Sequence, residues 1–115
     1  MKDIIDELAR WGCDVNTALD RFDGDRELYL ECLGIFDKDK NFDDLGHLLQ
    51  EKKYPEAFNC AHALKGVTAN LSLGPLLAAI TAVSDHLKYG EYEEATGDYA
   101  ALKDIKKQYD MIVAQ

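Results

Sequence analysis

Basic residues are scarce in this chain: 13 lysines and arginines stand against 22 aspartates and glutamates, for a formal charge of -9. Binding to nucleic acid or to an anionic membrane depends on clustered Lys and Arg. Neither partner is therefore expected. No apolar run approaches the roughly 18 residues needed to span a bilayer. The opening MKDIIDELARWG is acidic and has no signal-peptide apolar core, so a cytoplasmic location is expected. Cysteines are few: Cys13, Cys32 and Cys60 are an odd number without C-x-x-C spacing. That argues against a disulfide framework and a zinc site, and for small buried apolar side chains. There is no period-2 run long enough for a strand, no repeat, no low-complexity segment and no G-x-x-x-x-G-K nucleotide loop.

What is present is helical periodicity. At 115 residues, 47% hydrophobic and 30% charged, the chain reads as one domain over residues 1–115. A short amphipathic helix over 3–11 carries Ile4, Ile5, Leu8 and Trp11 and stops at Gly12. Asp14 or Asn16 caps a brief turn through Val15, Ala18, Leu19 and Phe22, which Asp23-Gly24 breaks. Asp25 caps a longer helix to about Phe36, with Leu28, Tyr29, Cys32, Leu33, Ile35 and Phe36 as its apolar set. Asn41 caps the next, through Phe42, Leu45, Leu48 and Leu49. Pro55 opens a central helix, and Gly74-Pro75 opens another with the stripe Leu76, Ile80, Val83 and Leu87. A last helix from near Tyr92 turns Ala95, Tyr99, Leu102, Ile105, Tyr109 and Ile112 inward and Lys103, Lys106 and Lys107 outward. Short connections between long helices favour antiparallel neighbours. The expected fold is all-α, an antiparallel up-and-down four-helix bundle with short N-terminal helices covering one end.

The stretch PEAFNCAHALKGVTANLSL, residues 55–73, holds the chemistry. At about 100° per residue, Ala57, Cys60, Ala61, Leu64, Val67, Thr68 and Leu71 share one arc that can face a core. His62 lies opposite, with Phe58 and Asn59 a turn before it, Lys65 and Gly66 a turn after, and Ala69 and Asn70 two turns after. An interior helical Gly costs about 1 kcal/mol relative to Ala, and nothing on a solvent face demands one for packing. An imidazole with a free nitrogen at neutral pH, a neighbouring ammonium and an open position are what a phosphoryl acceptor requires.

His62-Ala63-Leu64-Lys65-Gly66 followed by Asn70-Leu71 resembles the H-x-L-K-G-x-x-x-N-L signature of histidine phosphotransfer (HPt) domains, with Ser72 where that family usually carries Gly. The block Gly24 to Tyr29, with Phe36 downstream, is similar to a second part of the family pattern. The resemblance implies a phosphorelay intermediate in a two-component pathway. His62 would be the phosphoryl acceptor through Nε2, with Lys65 offsetting phosphoryl charge. Phe58, Asn59, Gly66 and Ala69 would form the docking face, and Asn70 would be structural. Implied partners are response-regulator receiver domains and a hybrid histidine kinase, with the domain a monomer. It would hold no cofactor, Mg²⁺ being expected on the receiver, and it would be a phosphoryl carrier without kinase activity of its own.

Other residues carry less. His47 and His86 read as isolated and solvated, because a metal site needs convergent ligands. Asp43-Asp44 and Glu93-Glu94 lack the Glu-x-x-His pattern of bundle metal sites. Tyr29, Tyr99 and Tyr109 read as core. The alternative function is a helical adaptor that binds a partner through the Phe58/His62 face.

Overall fold

The computed structural model describes residues 3–114. Seven helices account for most of them: α1 (Ile4–Trp11), α2 (Val15–Arg21), α3 (Arg26–Asp37), α4 (Asn41–Gln50), α5 (Tyr54–Asn70), α6 (Gly74–Lys88) and α7 (Tyr92–Val113). No strand occurs among the described residues. The last helix thus follows its expected course as far as Val113, and Gln115 lies outside the described residues. No described helix is long and apolar enough to cross a membrane.

The starts and stops follow local chemistry. Asp3, Asp14 and Asp25 each accept hydrogen bonds from first-turn N–H groups of α1, α2 and α3. Asn41 is not the cap expected of it. It is the first residue of α4, and Asp39 Oδ1 takes its N–H at 2.9 Å. The aspartate two residues back reaches that donor, which leaves Asn41 free to continue the helix.

The next three connections share one device. After α4, α5 and α6 the chain turns in residues 51–53, 71–73 and 89–91. The middle residue of each, Lys52 (φ 59°), Ser72 (φ 56°) and Gly90 (φ 75°), is left-handed. Their flanking amides close back on the finished helix, as in Lys53 N–H to Leu48 O, Leu73 N–H to Thr68 O and Glu91 N–H to His86 O. These are Schellman caps, which satisfy the last carbonyls and reverse the chain. In consequence α4 packs on α5, α5 on α6 and α6 on α7, while α7 also touches α1 and α3.

One core joins these elements. The stripe Leu76, Ile80, Val83 and Leu87 is buried as its spacing predicts, and Ile5 and Leu8 of α1 reach the same cluster. The apolar set of α3 is narrower than its pattern suggested: Tyr29, Leu33 and Phe36 are buried, but Leu28 and Ile35 are 43% and 66% exposed. Beside the buried i, i+4, i+7 line Cys32 is half-buried against the core, while the flanking Leu28 and Ile35 face water. Tyr29 and Tyr109 are core residues, as expected, and their hydroxyls donate to Leu71 O and Leu33 O, each at 2.8 Å. Burial pushes both phenols well above their ordinary pKa.

Tyr99 is half-buried and donates to Phe42 O at 2.8 Å. It reaches α4 because Gly46 has no side chain, since a Cβ there would lie 2.5 Å from the Tyr99 hydroxyl. Lys106, read as outward, instead lies inward with its side chain 14% exposed. Its stem crosses the Phe42 ring with Nζ 4.8 Å from the centroid, and its ammonium meets Asp37 at 3.2 Å and also Asp110. A lysine can bury its stem where its charge finds carboxylates.

His86 is likewise not isolated: its Nδ1 pairs with Asp98 Oδ2, joining α6 to α7. The bond to Asp98 raises the His86 pKa above its usual value, with Glu91 and Glu94 adding to the effect. A raised folded-state pKa gives stability that is fully present below about pH 6.5 and is lost as pH climbs through the folded value. Asp98→Asn should therefore lower the melting temperature more at pH 6 than at pH 9, measured by circular dichroism. Equal losses at both pH values would mean that the pair contributes no charge-dependent stability.

Candidate functional site

Helix α5 supplies the site. Its inner face is lined by small residues, and Ala57, Ala61, Leu64 and Thr68 are fully buried between α4 and α6. Thr68 keeps its hydroxyl satisfied by donating to Leu64 O at 2.8 Å, so its presence in the core costs little. Cys60 is half-buried at the edge of this face. Burial, followed by Asp44 and Asp39, pushes its thiol up to about 11, and it donates to Asn41 O at 3.2 Å. Cys13 is buried and pushed up to about 11 as well, and all three cysteines are free. Val67, expected on the inner arc, is 38% exposed. It sits at the margin of the arc, which the neighbouring helices do not reach.

Because the inner arc is fixed, the opposite face is fixed too. His62 and Gly66 are exposed, as are Asn59 and Asn70, while Phe58, Lys65 and Ala69 are half-buried. The structure thus brings all seven residues singled out from the sequence to the outer side or flanks of one helix. The His62 imidazole makes no hydrogen bond to a described residue, and its ring neighbour is Phe58, with centroids 6.1 Å apart and planes inclined by 22°. Phe58 also packs against the core, so its ring holds one side of the imidazole without enclosing it. Lys65 forms no ion pair among the described residues, leaving its ammonium available to an incoming anion. A Cβ added to Gly66 would meet nothing within 4 Å. Space, a free imidazole and an unpaired cation therefore lie within two turns of helix. Among the described residues no group of three or more His, Cys, Asp and Glu converges as metal ligands would.

Two contributors to the site were not singled out from the sequence. Arg21 of α2 donates from Nη1 to Ala69 O at 3.1 Å, Asn70 O at 2.9 Å and Ser72 Oγ at 2.8 Å. It ties down the C-terminal end of α5 where carbonyls would otherwise lack partners. The value of Asn70 in this is its backbone carbonyl. Ser72 carries a left-handed φ of 56°, a conformation that favours glycine, and a non-glycine residue there costs about 1 kcal/mol. Its hydroxyl bond to Arg21 offsets part of that cost. The second contributor is the stack of Tyr54 on Tyr92, with centroids 3.7 Å apart, which pins the start of α5 to the start of α7. Pairing across 48 residues and stacking across 38 leave no periodic trace in a sequence.

No protein family, curated protein or solved structure matches this chain.

The open space at Gly66 makes a stability prediction. Replacing it with Gln adds a good helix former at an exposed interior position without a clash, so Gly66→Gln should stabilise the fold by up to about 1 kcal/mol. A thermal melt checks this. A lower melting temperature would mean that the glycine backbone itself is required.

Proposed function

We propose that this chain is a phosphorelay intermediate of a two-component pathway, in which His62 carries a phosphoryl group between receiver-domain aspartates. The observation that carries the reading is the unobstructed space over Gly66, one turn beyond an exposed imidazole whose nitrogens bind no described residue. The order of α4 to α7 and their three-residue turns support an antiparallel up-and-down four-helix bundle, with the short N-terminal helices α1 and α2 covering one end. The resemblance of His62 to Leu71 to the HPt signature supplies the reaction class.

The residues present suit each step. The neutral imidazole keeps its proton on Nδ1 and directs the Nε2 lone pair at phosphorus. An N–P bond forms as the P–O bond to the donor aspartate breaks, and the electron pair of that bond stays on the released carboxylate. Transfer to a second receiver reverses the sequence. Lys65, with no carboxylate holding it, offsets charge on the phosphoryl oxygens as the group moves. Gly66 and Ala69 leave room for the partner's acidic pocket, while Phe58 and Asn59 flank the imidazole on its other side. Approach to about 3 to 3.5 Å is needed for such a reaction, and a bare helix surface permits it. Asn70 serves through its carbonyl, held by Arg21. The Mg²⁺ that phosphoryl transfer uses is expected with the receiver, and ATP chemistry with a hybrid kinase upstream.

His62→Gln should keep the fold, changing stability by under about 0.5 kcal/mol, and abolish phosphoryl acceptance. After incubation with a phosphorylated receiver, intact-mass measurement should find one acid-labile, alkali-stable adduct on the parent protein and none on the variant. A parent protein that takes no label, yet binds a partner through the Phe58 face, would instead be a helical adaptor. Lys65→Ala should slow single-turnover transfer at saturating partner by an amount equivalent to about 1 to 3 kcal/mol. An unchanged rate constant would reduce Lys65 to surface charge. The stabilised Gly66→Gln variant should transfer more slowly as well, because its side chain occupies the approach to Nε2.

A further inference from the structure

Charge is distributed unevenly over this acidic molecule. A cleft of about 400 Å³ lies where the α3–α4 connection meets the middle of α7. Five of the chain's 13 basic residues line it: Lys38, Lys40, Lys103, Lys106 and Lys107. Its floor includes Phe42, Leu102 and Tyr99, and no lining residue belongs to α5. The volume falls within the range of about 300 to 1,000 Å³ usual for small-molecule sites.

Four carboxylates share the cleft with the five lysines, and two of them are paired. Asp37 and Asp110 both hold the inward-lying Lys106. Asp39 accepts the N–H of Asn41. Asp39 and Asp43 therefore stand with four further lysines, Lys38, Lys40, Lys103 and Lys107, none of which forms an ion pair among the described residues. Asp104, one turn before Lys107, makes no ion pair with it either. Lys103 and Lys107 are separated by four positions on one helix, where like charges repel. Five lysines and four aspartates thus line one concavity, a local excess of positive charge in a chain of formal charge -9, and four of those lysines hold no ion pair among the described residues. Compact, strongly hydrated point charges of this kind suit phosphate oxygens.

From this we infer that the cleft binds a small phosphate-bearing polyanion. Lys103 and Lys107 would contact it from α7, Lys38 and Lys40 from the α3–α4 connection, and the apolar floor would exclude water beneath it. The inference does not rest on the role of His62, which lies on a different helix.

Inorganic pyrophosphate titrated into isotopically labelled protein, followed by amide resonances at low salt, tests it. Saturable shifts confined to residues 37–43 and 99–110 are expected, with a dissociation constant at or below about 1 mM and weakening as salt rises. The charge reversal Lys103→Glu with Lys107→Glu should weaken binding at least tenfold. Should that variant fold poorly, Lys103→Gln with Lys107→Gln serves in its place, and His62→Gln should bind as the parent does. Shifts spread over lysines elsewhere, failure to saturate, or equal binding by a folded double variant would overturn the site. Saturation by an acidic peptide but not by pyrophosphate would overturn it in favour of a protein partner.

Discussion

The inner face of α5 is the constraint on which the rest of the molecule depends. Ala57 and Ala61 are fully buried, and side chains that small admit close approach of the helices on either side, α4 and α6. A helix held along one arc by both neighbours cannot rotate without exposing Leu64 and placing polar groups in the core, an exchange that costs several kcal/mol. The position of His62 is therefore set by packing on the opposite side of its own helix. No hydrogen bond to a described residue holds the imidazole itself.

Around that constraint the fold uses tyrosine hydroxyls as ties, buried at Tyr29 and Tyr109 and half-buried at Tyr99. Tyr29, Tyr99 and Tyr109 each span at least 42 residues of sequence to reach a backbone carbonyl. Tyr29 bonds Leu71 and Arg21 bonds the two carbonyls before it, so consecutive residues at the end of α5 are gripped from α2 and α3. Helices α2 and α3 do more than cover apolar surface. They fix the end of the helix that bears the candidate site. On α7, Lys106 ties that helix to the end of α3 through Asp37 and pairs with Asp110 as well.

Much of this was legible in the sequence where the signal is local. Aspartate caps at positions 3, 14 and 25, the α6 stripe and the outer placement of His62, Gly66 and Asn59 follow from side-chain reach and helical period alone. Local rules misled where a neighbour was missing or unexpected. Leu28 and Ile35 have the right spacing for burial, but no element covers them. His86 and Lys106 carry polarity typical of a surface, but carboxylates from other segments receive them.

The amino-acid sequence by itself determined which segments are helical, where they stop, and which residues share a face, because hydrogen-bonded turns and caps are settled within a few residues of one another. Only the tertiary structure decided how wide each buried stripe is, which charges are paired, and that Arg21 and the Tyr54–Tyr92 stack secure the two ends of α5. Those outcomes depend on which surfaces meet across dozens of residues. A helical period specifies the direction in which a side chain points, and the packing of other elements specifies what it finds there.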